Sequence, residues 1–322
     1  MNKPEVKKRY YTQMMDTYRR YPVYIPGLNP LIRFTFSKKA ENDIRKILEL
    51  YEGKDVEVND WFKSHQLFFG FAVFRSGTTF LADFLNTNLA NSIVQHEANV
   101  NDYLYYARAL QNENDAYIYI KEYRLKEIYH RISPYSPTNP QSLIPNPQSP
   151  IPIYGEINPF LRRHSKAIKE LLPQAKQFHL VRDGRDVLRS LMSRELFDVN
   201  DPMATLIFPN MEDAYFKEWK SMSRFEKLCW LWQCDNEYLR KNISHLIQFE
   251  QLSTDYDYFK TNLMDYLAIG NISADVWKEG MQKVNNETPV YRFPVYKDWS
   301  NKDNAAFERI CGEEMSKCGY AY

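Results

Sequence analysis

The chain has 322 residues, with 42 Lys+Arg against 41 Asp+Glu and a formal net charge of +1. A dedicated nucleic-acid binder would carry a basic excess or stripe, so no nucleic-acid partner is expected. Hydrophobic residues make up 44% and charged residues 26%, which suits a chain that buries a substantial core and excludes overall disorder. Glycine is scarce, 10 residues where average usage of ~7% would give about 23, so the few present are expected where a side chain would not fit.

Residues 1–60 read as an N-terminal arm carrying Pro22, Pro26 and Pro30, with a helical stretch over Lys38 to Tyr51. Met1 to Arg20 is charged and tyrosine-rich, unlike a secretory signal. The longest apolar run, Leu67 to Phe74, is far short of the ~20 residues that span a bilayer. A cytoplasmic protein with no membrane contact is the expectation. That run, Leu67-Phe-Phe-Gly-Phe-Ala-Val-Phe74, has strand length and the continuous apolar character of a strand buried on both faces of a parallel sheet. The turn Arg75 to Thr79 leads from it into the helical spacing of Phe80 to Leu85.

Asp102 to Arg131 is helical in pattern, and Ser133 to Pro152, with seven of the 17 prolines, reads as an irregular loop. Strand signals resume at Ile153 to Ile157 and Gln177 to Val181, separated by a helix over Leu161 to Leu172. A second strand–turn–helix follows, Val181 through Arg182-Asp-Gly-Arg-Asp186 into Val187 to Arg194. Phe216 to Lys241 reads as a helix, Leu246 to Phe249 as a short strand, and Tyr256 to Leu267 and Ala305 to Lys317 as further helices. Strands alternating with helices predict an α/β protein with a mostly parallel central sheet, here a single domain over residues 1–322. Cys229, Cys234, Cys311 and Cys318 match no zinc-ligand spacing and the histidines are scattered, so no metal is expected.

Two loops carry chemistry. A strand feeding the tight Arg75 to Thr79 loop into a helix N-terminus is suited to an anion: Gly77 allows close backbone approach, and Thr78 and Thr79 add hydroxyls. It is not a Walker A loop, because no Gly-Lys-[Ser/Thr] occurs there. The alternative is an ordinary turn whose threonines cap a helix. In the second loop Arg182 stands at the carboxyl end of a buried strand, where open α/β sheets place ligands. Ser190 and Arg194, four apart, would share a helix face, so that Arg182, Ser190 and Arg194 converge on a second anion. The alternative is that Arg185, Arg189 and Arg194 are solvated and pair with Asp183 and Asp186.

Phe74-Arg-Ser-Gly-Thr-Thr79, followed downstream by Leu180-Val-Arg-Asp-Gly-Arg-Asp-Val187 and Ser190, resembles sulfotransferases that use 3′-phosphoadenosine 5′-phosphosulfate (PAPS). The motifs are most similar to those of tyrosylprotein-type and related bacterial sulfotransferases. The tail is similar to the cytosolic family, with Asp298-Trp299 and Arg292 seven residues before the tryptophan. The likeness runs in patches from Phe68 to Tyr320 and implies a P-loop-like three-layer fold. It further implies that Arg75, Ser76, Gly77, Thr78 and Thr79 hold the phosphosulfate, that Arg182, Ser190 and Arg292 hold the 3′-phosphate with Arg194 as a fourth member, and that Phe80 stacks on adenine. Core packing is the alternative for Phe80.

The resemblance names Glu97 as the catalytic base, with His96 beside it, and Arg75 as the group that neutralises the departing phosphate. Glu97 starts from a reference pKa of ~4.3, so burial must raise it or proton transfer must be concerted. His96, at ~6.5, is better matched, but neighbours on one strand would face opposite ways, and Glu97 is favoured. Two positions depart from the family: Ile157 stands where relatives carry a catalytic lysine, and Arg292 is followed by Phe293-Pro294 instead of lysine and glycine. The expected activity is sulfuryl transfer from PAPS, leaving the bisphosphate PAP, to a hydroxyl or amine of a small-molecule or glycan acceptor, with a homodimer allowed. The rival readings are a catalytically silent nucleotide-binding or scaffold protein, motivated by Ile157, and a P-loop kinase, disfavoured by the missing loop lysine.

Overall fold

The computed structural model describes residues 42–99, 101–133, 152–194, 196–197, 206–282 and 291–321. Residues 1–41 of the expected N-terminal arm and nearly all of the proline-rich segment lie outside these, while residues 42–50 are helical, within the expected Lys38 to Tyr51 helix. At the centre is a five-stranded, all-parallel sheet in the order β2-β3-β1-β4-β5. Its strands are β1 (Gln66–Phe71), β2 (Ser92–Gln95), β3 (Ile153–Ile157), β4 (Lys176–Val181) and β5 (Leu246–Gln248). The α/β, P-loop-like expectation is met. The strand β2 carries no signal in the sequence reading, being a four-residue edge strand with only Ile93 and Val94 apolar.

The three layers follow from strand alternation. Leu67, Phe69 and Phe71 of β1 face one apolar cluster with Trp61, Phe62, Tyr123 and Ile128. Phe68 and Ala72 face the opposite cluster with Leu81, Leu85, Phe178 and Leu180. A third cluster, built on Val181, Trp230, Trp232 and Phe307, extends the core past β4. Helices cover both faces: α1 (Asp55–Lys63), α2 (Thr78–Asn88), α3 (Asn101–Gln111), α4 (Glu113–Ile118), α5 (Leu125–Ile132), α6 (Ser165–Leu171), α7 (Gly184–Met192), α8 (Arg224–Asn242), α9 (Phe249–Thr254), α10 (Ala274–Met281) and α11 (Asn301–Lys317).

Among the boundaries that differ from the sequence reading, three bear on the local structure around the site. The expected Leu161–Leu172 helix opens as a 3-10 turn, Pro159–His164, because the Asn158 side chain accepts from Phe160 N and Pro159 occupies the first position. The expected Phe216–Lys241 helix starts only at Arg224, where Ser223 and Glu226 form a capping box. Helix α7 ends at Met192, so Arg194 lies beyond it and does not share a helix face with Ser190.

The glycines on the strands have a packing cause. Gly155 lies opposite Phe68, and Gly70 opposite Phe178, in the parallel register. A Cβ on Gly155 would sit 2.0 Å from Phe68 Cζ, and one on Gly70 2.4 Å from Phe178 Cζ. These two glycines make room for rings on neighbouring strands.

Candidate functional site

The first loop leaves β1 at its carboxyl end, beside the centre of the sheet, and enters α2. Arg75 has φ of 68° and Gly77 of 87°, both left-handed. Glycine is required at 77 twice over, since a Cβ there would lie 2.2 Å from Phe249 Cε2. No side chain caps α2 and no acidic residue sits in its first turn. The positive end of the helix dipole is therefore not neutralised by the helix's own residues. The reading in which the threonines merely cap a helix fails: Thr78 Oγ1 and Thr79 Oγ1 instead lie 3.0 Å and 3.3 Å from His96 Nε2.

The second loop is built differently. Asp183 caps α7 by accepting from Arg185 N, and its carboxylate also pairs with the Arg185 side chain. The N-terminus of α7 is thus already served by a carboxylate, and an anion here would be held by side chains. Arg182 Nη1 donates to the carbonyl of Arg75 at 3.2 Å, its guanidinium lies 5.3 Å from the Phe249 ring centre, and Asp186 is 3.7 Å away. Arg182 Nε is buried without a hydrogen-bond partner among the described residues, a donor left over after their own contacts are made. Pairing with Asp183 and Asp186 thus accounts for Arg185 and engages Arg182 at longer range.

Several of the sequence-chosen residues come together. Arg75 Nε donates to Ser190 Oγ at 2.8 Å. Burial lowers the Arg75 pKa, and the positive charges of Arg194 and Arg182 lower it further, against Tyr291 and Glu97. Arg194, exposed beyond α7, is therefore still within electrostatic reach. Arg292 reaches the same region through its backbone, its N–H donating to Ser193 Oγ at 2.9 Å, while its side chain is exposed. Ser76 is buried in the loop. Phe80 packs at 6.1 Å against Phe84 and edge-on at 6.4 Å against Phe249, and is 9% exposed; in the described residues its surroundings are those of a core phenylalanine.

His96 and Glu97 lie just past the end of β2, not within it, so the expectation that strand alternation turns them apart does not hold. Glu97 has φ of 44°, and its Oε1 lies 3.6 Å from His96 Nε2. Burial raises the Glu97 pKa to about 7, opposed by Arg75 and Arg162 and reinforced by Asp102. Burial and the Arg75 charge push His96 down to about 3. The two therefore exchange the proton affinities that their reference values suggest: near neutral pH Glu97 titrates and His96 stays neutral.

Asp102, missed by the sequence reading, belongs to a buried network behind Glu97. Arg124 donates to Asp102 Oδ1 at 2.8 Å and to Glu156 and Glu127, while Asn158 donates to both Asp102 and Glu156. Tyr291 and Arg162 were missed too; they come from distant segments, and only Tyr291 had a signal, its place next to Arg292. The position expected to hold lysine, Ile157, is fully buried in the apolar cluster facing α2, whereas Glu156 next to it faces the Arg124 network. No helix among the described residues is long and apolar enough to cross a membrane.

No family model matches the chain, and no curated protein matches it. Among solved structures, it is similar to a sulfotransferase from Alicyclobacillus acidocaldarius at 12% identity and a TM-score of 0.42, covering 79% of this chain and 96% of that one. It is also similar to a mouse sulfotransferase complexed with PAP, at 15% identity and a TM-score of 0.38, covering 80% and 89% of the two chains.

Proposed function

We propose that this protein is a sulfotransferase that moves a sulfuryl group in line from PAPS to a hydroxyl or amine of a small-molecule or glycan acceptor. The observation that carries this reading is the convergence of Arg75, Arg182 and Ser190 at the carboxyl ends of two adjacent strands, beside a carboxylate that titrates near neutrality. The residues suit an anionic nucleotide: a helix N-terminus without an acidic cap and a buried guanidinium N–H with no partner among the described residues.

When bound, PAPS supplies an activated sulfuryl group on a phosphate leaving group. The first-turn N–H groups of α2, with Ser76, Gly77, Thr78 and Thr79, hold the phosphosulfate. Arg182 and Ser190, with Arg194 and Arg292 at the rim, hold the 3′-phosphate. Arg75, cationic and forked, neutralises charge on the departing phosphate oxygen. Glu97 takes the acceptor proton, its affinity raised by burial towards the range a general base needs. With Ile157 sealed in the core, leaving-group stabilisation falls to Arg75 and the loop.

Incubation with PAPS carrying labelled sulfate and a panel of hydroxyl and amine acceptors tests this. The expected result is label transfer that saturates with acceptor and is inhibited by PAP. Tight PAP binding without transfer or hydrolysis would establish the silent nucleotide-binding reading that Ile157 motivates, and phosphoryl transfer from ATP would establish the kinase.

A further inference from the structure

His96 stands between the phosphate loop and the base, and one of its atoms serves both. Nε2 lies 3.0 Å from Thr78 Oγ1, 3.3 Å from Thr79 Oγ1 and 3.6 Å from Glu97 Oε1. Its side chain is 10% exposed, and the ring stays neutral well below neutral pH. In a neutral imidazole each nitrogen is either a donor or an acceptor, so Nε2 has two mutually exclusive states. As an acceptor it takes the hydroxyl proton of a threonine, which that threonine then cannot give to an anion. As a donor it bonds to the threonine oxygen, leaving the hydroxyl proton to point at an anion, and the same N–H edge faces the Glu97 carboxylate.

These states matter because an anion in the loop works against the base. Its negative charge adds to that of Asp102 in raising the Glu97 pKa, while Arg75 and Arg162 lower it. A donor at Nε2 favours ionised Glu97 and offsets the anion. We infer that His96 is a positioning residue whose tautomer couples an anion in the Arg75–Thr79 loop to the ionisation of Glu97. This rests on the reading of the loop as a phosphosulfate site and of Glu97 as the base. The anion draws the threonine hydroxyl protons, Nε2 takes up the N–H form, and the carboxylate is held ready only when the donor nucleotide is in place.

The test is nitrogen NMR of the full chain labelled at histidine, with the His96 signals assigned by their loss in His96→Gln. On adding PAP, Nε2 is expected to shift to the protonated type and Nδ1 to the unprotonated type. His96→Gln, which keeps an amide donor near the position of Nε2, is expected to retain most turnover. His96→Leu should lower kcat by roughly 10- to 100-fold and move the acid limb of kcat/KM to higher pH, with PAP affinity changed less. His96 in the Nδ1–H form with PAP bound, or His96→Gln as inactive as His96→Leu, overturns the inference; the second result makes His96 itself the proton acceptor. If PAP does not bind, the sulfotransferase reading fails instead, and the same titration with inorganic sulfate then decides the tautomer coupling separately.

Discussion

Arg75 Nε donates to Ser190 Oγ across 2.8 Å, joining residues 115 positions apart in the chain. The bond is possible because β1 and β4 are parallel neighbours, so the loops at their carboxyl ends emerge side by side. Each loop brings one part of the proposed anion site: α2 offers an uncapped N-terminus, and the second loop offers side chains around a helix that Asp183 already caps.

Arg75→Ala is therefore expected to lower kcat by about 10²- to 10³-fold, with a circular dichroism spectrum like that of the parent. Arg75→Lys keeps the charge but loses the fork and the Nε–H to Ser190, and should recover only part of the loss. Rates of labelled sulfate transfer at saturating PAPS check both, and Arg75→Ala turning over like the parent would remove it from the chemistry.

Glu97 sets a pH dependence with a definite sign. A base must be ionised, so kcat/KM should rise with pH through about 7 and level off above it, and Glu97→Gln should abolish turnover. The stability effect runs the other way. Because the folded-state pKa lies above the ordinary carboxylate value, the folded protein binds the extra proton between them, and stability falls as pH rises across that window. Glu97→Gln should therefore be more stable than the parent at pH 8 and show little difference near pH 4, as read by urea melts. An unchanged difference at the two pH values contradicts the raised pKa.

The glycines separate packing from binding. Gly155→Ala drives a Cβ into Phe68 and should cost roughly 1–3 kcal/mol of stability, while the folded protein binds PAP as before. Gly77→Ala meets both the Phe249 ring and a left-handed backbone and should lose stability and PAP affinity together. Denaturant midpoints paired with calorimetric PAP titrations distinguish the two; weakened PAP binding in Gly155→Ala would place it at the binding cleft.

Installing a lysine at position 157 should not raise the proposed turnover. Ile157→Lys buries an ammonium among Leu81, Phe178 and Leu180, a loss of about 3–5 kcal/mol. A buried lysine has a lowered pKa, so the unfolded chain binds more protons and the deficit should shrink as pH rises towards ~10. Urea melts at pH 7 and pH 9 check this, and a turnover gain at pH 7 would mean that position 157 reaches the reacting atoms.

Much of this protein is legible in one dimension because its signals are local. The apolar run at Leu67 to Phe74 and the turn residues after it determine a buried strand feeding an anion-suited loop, and the alternation of strands with helices determines the α/β class. The short β2 was not legible, since a four-residue edge strand carries too few apolar positions to stand out. Nor was the true start of α8, although Ser223 and Glu226 spell a capping box. What required the tertiary structure was everything that depends on proximity without sequence spacing. Burial and neighbouring charges, not residue type, place Glu97 near 7 and His96 near 3, because desolvation is a property of the folded surroundings. The same holds for glycine. Its scarcity is plain in the sequence, but only the strand register shows that Gly70 and Gly155 make room for phenylalanine rings while Gly77 is held by a left-handed turn.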